Sequence, residues 1–245
     1  MKLIYTVVAG SRLYGMNHKD SDYDYRAIAL DSVKSLIGLE KPMMTKDSKI
    51  GEHDSVIYSL KQFVTLALNA NPNIIELLFA PKESVMTISE EIEPFLKARN
   101  EFLSEKVRAS FGGYARSQIS LLTRKEFKPV GAKAQTVSYY GWDTKAAAHL
   151  YRLCLQGYSL LTSPETYSPK LNQEDLNIVM SIRHGELTKD QVLVLCEFML
   201  QGIDNCKTTL LEEPNRKLIQ ELLMELNARE VHREYYQYLS CLTST

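Results

Sequence analysis

Three aspartates, Asp20, Asp22 and Asp24, stand within five residues of the stretch VVAGSRLYGMNHKDSDYDYRAIAL, residues 7 to 30. Strands are normally poor in Asp, yet the last two run straight into an apolar segment. In a strand, side chains at i and i+2 point the same way, so Asp22 and Asp24 share one face and Tyr23 and Tyr25 the other. Two carboxylates about 4 Å apart repel by roughly 1 to 4 kcal/mol between effective dielectric constants of 80 and 20. A hard divalent cation reverses the sign of that cost. Mg²⁺ (or Mn²⁺) takes oxygen ligands and usually joins one or two carboxylates to substrate phosphates. Asp20 falls in polar loop sequence and is left outside this pair.

Two further features complete a reaction centre. Asp54 opens the alternating segment HDSVIYSL, 53 to 60, and shares a face with Val56 and Tyr58. If that strand lies beside the Asp22–Asp24 strand, a third carboxylate joins the metal site, and Asp54 is placed to orient or deprotonate an attacking hydroxyl. Gly10-Ser11 follows the first apolar run. Glycine lets backbone approach a phosphate closely, and N–H groups there with the Ser11 hydroxyl could cradle phosphate oxygens. Arg26, two residues past the Asp pair, is expected to pair with Asp24 or a phosphate.

These residues need a sheet to position them. Residues 2–9, 22–30 and 53–60 read as strands, and 31–51 as mostly irregular. Leu60, Phe63, Val64 and Ala67 carry helical spacing, which Asn71-Pro72 ends. Asn73 reads as the N-cap of a helix through IIELLF, with Glu76 in its first turn, where an acid suits the helix dipole. Beyond about residue 95 strand signals vanish, and 96–110, 111–126, 143–163, 172–183, 188–206 and 214–240 read as helices. The expected class is therefore α+β: a catalytic domain over 1–95 with a mixed sheet, then a helical domain over 96–245, the two packed around a cleft.

In the helical part, Asp143 is a plausible N-cap, and Lys145, His149 and Arg152 follow at i, i+4 and i+7 on one face. Three cationic or cationisable groups in a row suit the phosphates of a nucleotide or of an acceptor strand. Tyr114 and Gln118 could line the same cleft, and the sole tryptophan, Trp142, either stacks on a base or packs. Between 97 and 133, nine basic residues (Lys97, Arg99, Lys106, Arg108, Arg116, Arg124, Lys125, Lys128, Lys133) face three acids, a local net of +6 within a chain of net charge −1. Such a belt suits a polyanion.

The chain has 245 residues, 44% hydrophobic and 24% charged, an ordinary globular balance. It contains no apolar run of membrane-spanning length, and the short apolar start reads as a buried strand, not a leader. The four cysteines, Cys154, Cys196, Cys206 and Cys241, are widely spaced, which suits reduced thiols in a cytoplasmic protein. Neither they nor the histidines show zinc spacing.

Gly10-Ser11 followed by SDYDYR, with Asp54 on a later strand, resembles the nucleotidyltransferase superfamily typified by DNA polymerase beta. The likeness extends through GYARSQ, GWDTKAAAHLYRL and IRHGELT, roughly residues 5 to 195. It is similar to a bacterial and phage group of nucleotidyltransferases that includes the RNA-repair-associated polymerase-beta family. Trp142 stands where that group usually carries Tyr, a mild departure. The resemblance implies two Mg²⁺ ions on Asp22, Asp24 and Asp54, and transfer of a nucleoside monophosphate from an NTP held over Gly10 and Ser11. The acceptor hydroxyl is left open: an RNA 3′ end along the basic belt, a protein side chain or a small molecule. A non-catalytic nucleotide- or RNA-binding module is the remaining alternative.

Overall fold

The computed structural model describes residues 1–124 and 132–243. Its N-terminal part is a five-stranded mixed sheet, and helices form the rest, which makes the chain α+β. Strand β1 (Leu3–Ala9), rich in β-branched residues, ends at helix α1 (Gly10–Tyr14), and β2 (Asp24–Ala29) returns antiparallel beside it. After α2 (Val33–Ile37) come β3 (Thr45–Ile50) and β4 (His53–Ser59), paired as a hairpin around Gly51 and Glu52. Strand β4 lies parallel to β2, with Tyr25 opposite Ser55. Helices α3 (Leu60–Ala67) and α4 (Pro72–Leu78) follow, then β5 (Val85–Ile88), giving the order β3-β4-β2-β1-β5.

Two strands lie where none is expected from sequence. Strand β3, TKDSKI, is largely exposed and has no apolar face; its ladder to β4 defines it, and its lysines suit a sheet edge. Strand β5 is the opposite, equally exposed edge. The cap of α4 is Asn71, not Asn73: the Asn71 side chain accepts from the Asn73 amide at 3.1 Å, and Pro72 takes the first helical position.

Beyond the sheet, α5 (Glu93–Lys97) is short and a 3₁₀ turn (Arg99–Phe102) follows it, so the single helix expected over 96–110 is not formed. Then come α6 (Lys106–Leu122), α7 (Ala132–Tyr140), α8 (Thr144–Thr162), α9 (Gln173–Arg183), α10 (Lys189–Asn205) and α11 (Arg216–Thr243). Asp143 caps α8 as expected, accepting from the Ala146 amide at 2.9 Å. One apolar cluster runs from Ile4, Tyr5 and Ile28 through Phe63, Ile75 and Phe111 to Leu150, Ile182 and Ile219. Sheet and helices thus share a continuous core. On the other sheet face lies only a small cluster of Ala27, Ala29 and Ile57. No described helix is long and apolar enough to cross a membrane.

Candidate active site

The register sorts the chemistry by face. Arg26, Ile28, Val56 and Tyr58 have the parity that meets the main core, and Asp24 and Asp54 continue that parity at the same ends of adjacent parallel strands. Tyr23, Tyr25 and His53 take the opposite parity and cluster there, with ring centroids 5.3 to 6.3 Å apart. The strand expected from residue 22 begins only at Asp24, so Asp22 lies in the loop before it, yet it lines the same cavity as Asp24.

A cavity of about 400 Å³ opens between the sheet end and α8, lined by Gly10, Ser11, Asp22, Asp24, Arg26, Lys145, His149 and Arg152. A second, of about 510 Å³, holds Asp54 and Ser55 and shares Gly10, Asp24 and Arg26 with the first. Asp24 thus stands between the two. Asp20, set aside from sequence, also lines the first cavity, as does Arg183 from α9.

Gly10 is required twice over. Its φ is +64°, and a Cβ there would come within 2.4 Å of Asp24 Oδ2. The Asp24 carboxylate therefore occupies the space that any other residue at position 10 would fill. Asp22, Asp24 and Asp54 are exposed and make no ion pair among the described residues. Among the described residues, no three His, Cys, Asp or Glu side chains gather tightly enough to cage a metal ion. The three-carboxylate site expected from sequence is thus not closed: Asp54 lines the adjoining cavity. Two neighbouring carboxylates beside a backbone cradle still match Mg²⁺, which takes one or two carboxylates and completes its shell with water and phosphate.

Arg12, which sequence reading overlooked, fixes the Asp22 loop. Its guanidinium donates to the carbonyls of Ser21 at 2.7 Å and Asp22 at 3.4 Å, and lies 3.6 Å over the Tyr23 ring. The Tyr14 carbonyl accepts from Leu171 at 3.3 Å, tying the Gly10-Ser11 turn to the helical part.

Beneath the first cavity lies a buried network, and it changes the roles expected of Arg26, His149 and Arg152. Glu76 is not a dipole-facing surface acid. It is 1% exposed, accepts from Arg152 at 2.6 Å and Tyr14 at 2.7 Å, and pairs with Arg26 at 3.3 Å. Burial pushes its pKa up, but Arg152 and Arg26 together outweigh that and hold it below the usual carboxylate value. Arg26 also bonds Asn73, so its partners are Glu76 and Asn73, not Asp24. Arg152, 2% exposed, bonds Gln156 and stacks 3.5 Å over Tyr14. Its hydrogen bonds go to Glu76, Gln156 and His149, and it shares the one Glu76 carboxylate with Arg26, so the group keeps one net positive charge at the cavity wall.

Arg152 Nη2 also lies 2.9 Å from His149 Nδ1. Arginine can only donate, so Nδ1 accepts and the imidazole proton resides on Nε2. Burial and the Arg152 charge lower the His149 pKa to about 4. His149, read from sequence as cationisable, is therefore neutral at pH 7. Of the stripe on α8, Lys145 alone stays exposed and pairs with no acid among the described residues, joined in the cavity wall by the Arg183 side chain. Tyr114 meets the His149 ring edge-on at 6.0 Å, while Gln118 and Trp142 line a separate cavity of about 290 Å³.

The basic belt is mostly satisfied internally. Lys97 pairs with Glu93, Lys106 with Glu213 and Arg116 with Asp204. Arg108 bonds the Cys206 carbonyl and Glu105, and Arg99 covers the Phe79 ring. Arg124 is exposed; Lys125, Lys128 and the Lys133 side chain lie outside the described residues. All four cysteines are free.

A sheet end carrying a Gly-Ser turn and an Asp-x-Asp strand start defines a nucleotidyltransferase-like protein. Comparison with known proteins makes this specific: the chain belongs to the RNA repair pathway DNA polymerase beta family (RlaP), which it matches over residues 1–229. It is 31% identical over 130 residues to an uncharacterized 38.9 kDa protein from the nrdC–mobD intergenic region of Enterobacteria phage T4. That match covers 49% of this chain and 38% of the phage protein. Among solved structures, it is similar to a nucleotidyltransferase-like protein from Exiguobacterium sibiricum 255-15. That likeness covers 95% of this chain and 74% of the other, at 11% identity and a TM-score of 0.28.

Proposed function

We propose that the protein transfers a nucleoside monophosphate from an NTP to the 3′ hydroxyl of RNA, with Mg²⁺ or Mn²⁺ on Asp22 and Asp24. The observation that carries this reading is the Asp24 carboxylate, unneutralised and turned into the space left by Gly10, between two cavities. Repelling carboxylates left without a cation persist only at a cost, and a metal–triphosphate complex removes it. The family's description as an RNA repair group supports RNA as the acceptor.

In this reading the triphosphate lies over Gly10 and Ser11, with Lys145 and Arg183 as the free cations on the opposite wall. His149 offers a neutral Nε2–H donor to the nucleotide, and Arg152 and Arg26 hold the wall in shape through Glu76. When bound, the metal neutralises the phosphates and lowers the pKa of an oxygen it holds. Asp54, in the second cavity, orients the acceptor hydroxyl and takes its proton. The acceptor oxygen bonds the α-phosphorus, the bond to the bridging oxygen breaks, and pyrophosphate leaves. Catalysis of this kind is mostly positioning and charge neutralisation.

The test is incubation with each α-labelled NTP, Mg²⁺ or Mn²⁺, and total RNA, for the parent chain and Asp24→Asn. Label entering RNA in the parent alone is expected. Label on the protein or a small molecule would replace RNA as acceptor. Equal incorporation by Asp24→Asn would overturn the site.

A further inference from the structure

We infer that the acceptor RNA strand enters over the β3–β4 edge of the sheet, its terminal base stacking on the Tyr23–His53 rings and its phosphates on Lys46 and Lys49. This rests on the proposed nucleotidyl transfer only for calling the strand an acceptor; the binding site itself stands on four observations independent of catalysis.

The first is the aromatic cluster. Tyr23 is 38% exposed and His53 is exposed, although both rings sit at the mouth of a sheet whose other aromatic residue here, Tyr25, is buried. Arg12 covers Tyr23 and holds it in place, so the platform is fixed before any ligand arrives. Every nucleobase has a π-face that such rings can take without reading sequence. The second is position. Tyr23 and His53 immediately precede Asp24 and Asp54 in the chain, on the alternate face. Rings and carboxylates thus lie at the same end of β2 and β4 on opposite faces, and a strand crossing that end passes both.

The third is charge. Lys49 stands directly across the ladder from Asp54, and Lys46 across from Ile57, so β3 presents one lysine on each face. Both are exposed and neither pairs with an acid among the described residues, while the more conspicuous cations of α6 are largely paired. Edge lysines also discourage sheet-to-sheet pairing, but that role needs no aromatic platform beside them. The fourth is an unpartnered group. Ser55 Oγ is buried, 4% exposed, lines the second cavity and has no hydrogen-bond partner. A buried hydroxyl without a partner costs about 1 to 3 kcal/mol, and a sugar hydroxyl or base edge that displaces the cover over it would satisfy it.

The probe is an end-labelled hexariboadenylate, titrated by fluorescence anisotropy with no NTP or metal present. His53→Ala is expected to weaken binding about tenfold or more, the range for losing one base-stacking ring. Lys49→Glu, on an exposed edge where folding is insensitive, should weaken it and flatten the salt dependence by roughly 0.7 in log–log slope. Lys106→Glu on α6 should change little. Asp24→Asn should bind the hexamer as the parent does while losing transfer, which separates a failed acceptor site from a failed catalytic reading. Unchanged binding in both His53→Ala and Lys49→Glu, or a larger loss in Lys106→Glu, would overturn the inference. So would hexamer binding that is absent in the parent chain while the protein labels itself.

Discussion

Two sets of charges lie within one cavity's reach, and the chain treats them oppositely. Arg152, Arg26 and Tyr14 form the floor of the cavity and are tied together through Glu76 beneath them. Asp22, Asp24 and Asp54 line the cavities, exposed and without ion partners among the described residues. The first set resembles a structural member: it links α1, β2, α4 and α8, and so fixes sheet against helices. The second carries like charges that the fold leaves unbalanced. Charges held by partners within the fold keep its shape, and charges left without partners are available to a ligand.

Substitutions should therefore separate cleanly between function and stability. Asp24→Asn is expected to reduce nucleotidyl transfer by ~10³-fold, the scale for a group that balances transition-state charge, while the fold persists; steady-state incorporation of labelled NTP measures it. Glu76→Gln should do the reverse. Removing one partner of a buried ion pair costs about 3 to 5 kcal/mol, here a fall in melting temperature of roughly 10 °C for a chain of this size. Gly10→Ala belongs to both classes, since its Cβ meets Asp24 Oδ2 and its φ is positive. Displacing that carboxylate by about 1 Å should cost transfer up to ~10²-fold, with a smaller loss of stability.

The smallest effect is in pH. The His149 pKa falls from 6.5 to about 4 in the folded chain, so between these values the unfolded state binds more protons. Stability is then fully present above pH 6.5 and declines as pH falls toward 4. Glu76, whose pKa is also depressed, adds a further loss below the ordinary carboxylate pKa of 4.5. Melting curves at pH 7 and pH 5 should differ in the parent and differ less in His149→Gln.

How much of this was legible in the sequence depends on whether a pattern is local. The break at Gly10-Ser11, the alternation of Asp24 against Tyr25 and the Asp143 cap are all short-range, and the structure shows them as read. Strand β3 was not legible, because TKDSKI carries no apolar alternation and exists through its ladder to β4. Neither was the partnering of the basic belt, since Lys106–Glu213 and Arg116–Asp204 join residues about a hundred positions apart.

One signal was present and passed over. Glu76 sits inside IIELLF and Arg152 inside LYRLCL, each a lone charge in an apolar run. A charge so placed must be buried, and two of opposite sign invite each other. Read that way, Arg152 would have been assigned to the core and Lys145 alone to the ligand.

The most direct test compares the melting temperatures of Asp24→Asn and Glu76→Gln, each with and without Mg²⁺ and the four NTPs. Relief of like-charge repulsion should leave unliganded Asp24→Asn at least as stable as the parent, and the ligand-induced rise seen in the parent should vanish. Glu76→Gln should melt well below the parent yet keep a ligand-induced rise. An Asp24→Asn chain that melts as low as Glu76→Gln, or that keeps the full ligand-induced rise, would contradict the division of roles between the two sets of charges.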